Sequence, residues 1–207
     1  MKKQKVAIVL LTVLFLAPPL LAAQDGYTSH SSDQYMLDFS HPEGWYVTEH
    51  ENSLVLLSSP ELEERLDAEF PDLETGEMVV TVSALPALMF VFMGIEADSV
   101  GGQLEGFLEM MVQEIPGASE SVTRSSEEAS NGVAVSSLTF DTTEEIGGED
   151  REVSGTFLGV ADEDKGVVTF AFAVGPRPTL NREQEALVET VGSMVYTGDM
   201  EELMGGN

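Results

Sequence analysis

The 207-residue chain contains no cysteine. That excludes disulfides, a thiol nucleophile, thiolate metal ligands and the lipidated cysteine of an anchored lipoprotein. The fold therefore stands on its hydrophobic core alone. Positive charge is almost as scarce: 9 Lys+Arg face 37 Asp+Glu, a formal net charge of −28. Such a chain repels phosphate backbones and anionic headgroups, so it is not expected to bind nucleic acid, and membrane association should be weak or absent. Histidine occurs three times, as His30, His41 and His50, and tryptophan once, as Trp45. No serine sits in a G-x-S-x-G elbow, and no histidine has an orienting carboxylate in an obvious local context. There is no phosphate loop and no dinucleotide fingerprint. Carboxylates are too abundant for any acid pair to be diagnostic of a hydrolase. No catalytic residue, cofactor or metal ligand is assigned.

The first residues are of another kind. MKKQKVAIVLLTVLFLAPPLLAAQ places Lys2, Lys3 and Lys5 before an apolar run from Val6 to Ala17, then Pro18-Pro19 and the small pair Ala22-Ala23. This is the layout of a signal peptide over residues 1–23, and its apolar core is shorter than the roughly 20 residues that span a bilayer. Export to the periplasm or the medium is implied, leaving Lys165 the one lysine beyond the leader. Residues 24–33 (QDGYTSHSSD) are small and polar and read as a flexible leader of the mature chain. Residues 199–207 read as a frayed tail. A single domain over 34–198 is expected between them.

Within that domain, Gln34–Phe39 alternates with Tyr35, Leu37 and Phe39 on one side, as a half-buried strand does. Pro42-Glu43-Gly44 marks a turn, and Trp45–His50 a returning strand taken to pair with the first. Ser53–Leu57 is a third strand. Ser59-Pro60 has the form of a helix start, with Leu62, Leu66 and Phe70 on one face and Pro71 as the stop. Glu77–Leu85 is rich in β-branched residues and reads as a central strand. Asp98 or Ser99 opens a helix reaching Ile115, with Val100, Leu104, Phe107, Leu108 and Met111 on its inner face. Four strands are predicted near 119–127, 132–142, 151–161 and 167–174. Asn181 and Gln184 form a capping-box pattern for a last helix, with Leu187, Val191, Met194 and Val195 inward. Strands grouped between few helices predict an α+β fold, an antiparallel sheet covered by helices.

Three stretches resemble the PsbP/Mog-type superfamily: YMLDFSHPEGWYV, the strand pair REVSGTFLGV and GVVTFAFAV, and the closing EALVETVGSMVYTGD. The resemblance spans roughly residues 34–198. It departs at His41, where the family commonly has an aromatic residue before the proline. It implies an α/β/α sandwich around an antiparallel sheet, with Trp45 a structural anchor whose indole N–H meets a carbonyl. It also implies function through partners, since members include photosystem II subunits, a Ran-GTPase regulator and exported bacterial proteins. No binding residue of the family can be placed on this chain.

Three features remain. Asp162-x-Asp164-x-Gly166 fails the calcium-loop pattern at its fifth and twelfth positions and reads as a hairpin turn. His41 and His50, with Glu43, Glu49 and Glu51 nearby, would lie at opposite ends of the expected hairpin and so cannot share an ion. The segment ALPALMFVFMGI (84–95) is too short to span a membrane and is broken by Pro86. It is either core buried on both faces or an adaptable contact surface presenting Met89, Phe90, Phe92 and Met93. The sequence thus points to an exported, non-catalytic binding or assembly module with a protein partner in the cell envelope. Cation binding by surface carboxylates is the alternative, and the oligomeric state is open.

Overall fold

The last hundred residues lay down most of the sheet on which everything else packs. The computed structural model describes residues 25–51, 53–66, 72–118, 121–146 and 149–199, with the backbone alone at 144–146 and 149. Residues 1–24, with the expected signal peptide, and residues 200–207 of the expected tail lie outside the described residues. The strands are β1 (Tyr27–Ser32), β2 (Leu37–Pro42), β3 (Tyr46–Glu49), β4 (Leu54–Leu57), β5 (Val79–Pro86), β6 (Thr123–Glu128), β7 (Ala134–Ile146), β8 (Glu149–Asp162), β9 (Val167–Gly175) and β10 (Val195–Tyr196). The helices are α1 (Ala87–Phe92), α2 (Val100–Gln113) and α3 (Arg177–Gly192), with a 3₁₀ helix over Pro60–Arg65. A seven-stranded antiparallel sheet runs β3-β4-β5-β9-β8-β7-β6, and a three-stranded sheet runs β1-β2-β10.

Turn chemistry fixes the register of the long hairpins. Gly132, at φ +83°, donates to the Ala129 carbonyl at 2.8 Å and closes β6 onto β7. The Asp162 carboxylate accepts the Lys165 amide at 2.9 Å, and Gly166, at φ +64°, completes the turn between β8 and β9. From there Val167 pairs with Asp162 and Val174 with Gly155. Alternation along β9 then serves two cores. Ala171 and Ala173 face Leu158, Leu187 and Val191 beneath α3 and the small sheet. Phe170 and Phe172 face Phe107, Phe140 and Phe157 beneath α2. The result is α+β, with α3 and the small sheet on one face of the large sheet and α1 and α2 on the other.

Several expectations are corrected. Residues 27–32, read as part of a flexible leader, form β1, paired with β2 from Tyr27–Pro42 to Ser32–Leu37. This strand buries only Ser32, so it has no apolar alternation to give it away. The Trp45 strand does not pair with the one before it. β2 lies in the small sheet and β3 pairs with β4 in the large one, so Pro42–Trp45 is a crossing between sheets. Trp45 donates its amide to the Pro42 carbonyl at 3.1 Å, Glu43 donates to Gly26 at 2.8 Å, and Gly44 takes φ +97°. The indole is half-buried against the larger core, as an anchor requires. Its N–H, expected to meet a carbonyl, bonds to none of the described residues.

The closing helix starts at Arg177, ahead of the Asn181 capping box, because Pro176 ends β9 and Pro178 sits where a helix needs no amide. Thr179 is buried and accepts the Gly76 amide at 2.8 Å. Val195, expected inward, is exposed on β10, while its neighbour Tyr196 is buried. The helix expected after Ser59 is the 3₁₀ helix, with Leu62 buried against Val55 and Leu57. Phe70 and Pro71 lie outside the described residues.

Candidate partner-binding surface

β5 ends at Pro86, whose ring removes a ladder donor and whose backbone is extended (φ −63°, ψ 134°). The chain then turns into α1. Successive residues of a helix point about 100° apart, so Ala87 and Phe90 share the inward stripe while Leu88, Met89, Val91 and Phe92 spread over the remaining directions. Phe90 is fully buried, 4.9 Å from the Phe107 ring, which meets Phe170 edge-on at 5.1 Å. Phe90, expected as a contact residue, is therefore core, because it alone among the four lies on the side that α2 covers. Phe92 is 77% exposed, and Leu88, Met89, Val91 and Met93 lie between 40% and 48%. One stripe of this segment is thus buried, and the rest lies in solvent.

The exposed face is held from both ends. The Ala87 amide donates to the Gly166 carbonyl of the β8–β9 turn at 2.8 Å. At the other end, Gly94 takes φ +82° and donates to Val91 at 3.0 Å, while Ile95 donates to Phe90 at 2.9 Å. This is the Schellman pattern, in which left-handed glycine lets two amides satisfy the last carbonyls. The Ile95 side chain rests on α2 at Gly106, where an added Cβ would lie 2.7 Å from its Cγ2.

Acidic groups border the apolar face. Val91, Glu96, Ala97, Asp98 and Gln103 line an open hollow of about 440 Å³. Glu163, in the turn that bonds α1, accepts the α2 amides of Val100 at 3.0 Å and Gly101 at 2.9 Å. Of the two caps the sequence offers, Asp98 and Ser99, it is Ser99 that caps the same helix, accepting the Gly102 amide at 3.0 Å. Lys165 of that turn directs its Nζ to the Tyr196 carbonyl at 2.5 Å.

Other polar groupings form ties within the fold. Asp141 on β7 accepts from Ser154 at 2.5 Å and pairs with Arg177 of α3 at 3.1 Å, joining sheet to helix. His30 meets Glu49 at 3.1 Å and so links β1 to β3. His41 is buried, with Nδ1 3.1 Å from the Pro42 carbonyl; burial lowers its pKa, against the opposing pull of that carbonyl. Among the described residues no histidine ring bonds to a serine hydroxyl, and no three Asp, Glu or His side chains gather as they would around a metal. The strand pairing invoked to separate His41 from His50 does not exist, since β2 pairs with β1 and β3 with β4. No helix among the described residues is long and apolar enough to cross a membrane.

No family model and no curated protein matches the chain. Its fold is similar to that of the cyanobacterial PsbP protein from Synechocystis sp. PCC 6803, at 11% identity and a TM-score of 0.47, covering 87% of this chain and 98% of that one. It is also similar to the Ran-binding protein Mog1p of Saccharomyces cerevisiae (10%, TM-score 0.47, 84% and 97%). A third likeness is to LpqN of Mycobacterium tuberculosis, described as involved in cell envelope biogenesis (11%, TM-score 0.46, 83% and 91%).

Proposed function

We propose that the chain is an exported, non-catalytic binding module that docks a protein of the cell envelope through the outer face of α1. The observation that carries this reading is the set of five neighbouring apolar side chains, Leu88, Met89, Val91, Phe92 and Met93, left in solvent on a helix capped and bonded at both ends. Large apolar side chains gathered on the surface of a soluble protein commonly mark an interface, and methionine with phenylalanine gives an adaptable one. Met89, Phe92 and Met93 make the contact in this reading, and Phe90 positions the helix beneath them.

The test is affinity capture from envelope extract by the full chain and by its Met89→Ser/Phe92→Ser variant, with circular dichroism confirming that both are folded. A partner retained by the first and lost by the second supports docking at α1. A partner retained equally by both overturns it.

A further inference from the structure

The border of the α1 face narrows the kind of segment it accepts. We infer that this surface takes a cationic amphipathic segment of a protein partner, its apolar side chains on Phe92 and Met93 and a lysine or arginine in the hollow beside Val91. This deepens the docking reading and rests on it.

The hollow combines the two halves of such a side chain's needs. Val91 and Ala97 offer apolar surface to an alkyl stem, and Glu96 and Asp98 offer carboxylates to its cationic head. Both acids are exposed, and neither appears in an ion pair among the described residues. Lys165, in the turn bonded to α1, directs its Nζ to the Tyr196 carbonyl and does not line the hollow. Glu163 adds a further negative group beside the start of α2. A second copy of this chain would set these acids against their own kind, and an anionic bilayer would do the same. A segment with a basic rim gains from each.

The full chain is titrated with a helical peptide of about 18 residues carrying leucine on one face and lysine at its rim, and with the same peptide bearing glutamate for lysine. Phosphatidylglycerol vesicles form a third arm, and sedimentation reports self-association. At about 0.15 M salt, charges beyond roughly 8 Å are screened, so the general acidity of the protein contributes little. The lysine peptide is expected to bind. Glu96→Gln/Asp98→Asn should weaken it about fivefold and Phe92→Ser by at least as much. Glu61→Gln/Glu64→Gln, on the 3₁₀ helix away from α1, should leave affinity unchanged.

Equal weakening by the two carboxylate pairs overturns the inference, since the peptide then reads overall charge. Equal binding of the glutamate peptide, binding to the vesicles, or self-association lost on Phe92→Ser overturns it too. If Phe92→Ser weakens binding and Glu96→Gln/Asp98→Asn does not, the basic rim is wrong while apolar docking stands. If Phe92→Ser changes nothing, docking at α1 falls as well.

Discussion

Phe90 and Phe92 are two residues apart on a helix of six, yet one is fully buried and the other is 77% exposed. Truncating each to alanine separates what the fold needs from what the surface offers. Phe90 packs against Ala87, Phe107 and the core beneath α2, so Phe90→Ala leaves a cavity and should cost about 3–5 kcal/mol. Phe92 has under a quarter of its surface covered. With roughly 2–3 kcal/mol for burying a whole phenylalanine, Phe92→Ala should cost only about 0.5 kcal/mol. For a domain of this size one kcal/mol shifts the melting temperature by about 2–4 °C, so the variants should melt roughly 6–20 °C and about 1–2 °C below the parent. Urea unfolding by circular dichroism measures both, with the slope expected to stay constant. Equal losses would mean that α1 is rotated about its axis, and the docking surface would be misplaced.

Burial holds the folded pKa of His41 below its ordinary 6.5, so the unfolded chain takes up this proton first. Its contribution to stability is complete above about pH 6.5 and is lost as pH falls toward the depressed value. A His41→Gln variant should therefore show a flatter stability profile between about pH 7 and 5, and an unchanged slope would refute the assignment. Gly155→Ala would place a Cβ 2.4 Å from Cζ of Phe140, a ring stacked with Phe157 and Phe172. It should cost about 1–3 kcal/mol in urea unfolding, although alanine suits a strand better than glycine; a neutral result would show that the ring moves freely. Screening of surplus carboxylates should raise the melting temperature with added NaCl, and KCl should act equally. A fall with salt would mean that the ion pairs outweigh the repulsion.

The core was legible because it is periodic. Leu104, Phe107 and Leu108 recur at helical spacing on α2, and 167–175 alternates between two cores as strands do. Hairpins announced themselves through Asn131-Gly132 and Gly166. The misreadings share a cause, for each element lacks the signal by which its kind is recognised. β1 is held by backbone pairing with almost no apolar side chain. β2 and β3 are joined by a turn with hairpin composition, and only tertiary pairing shows that they belong to different sheets. The start of α3 is set by Pro176 and the burial of Thr179, while Asn181 offers a cap that the helix has already passed.

At α1 the sequence signal was present but two-valued. An apolar run says that each side chain would gain by leaving water; it does not say how many can. Six residues at 100° steps point all round the axis, and the fold supplies cover on one side only. With Ala87 and Phe90 filling that side, Leu88, Met89, Val91 and Phe92 cannot be buried by any rotation of so short a helix, because turning one inward turns Phe90 out. Their exposure therefore follows from the topology that places α1 at the end of β5 against α2. A helix apolar in all directions but covered in one leaves the rest of its apolar surface in water, bordered here by Glu96 and Asp98.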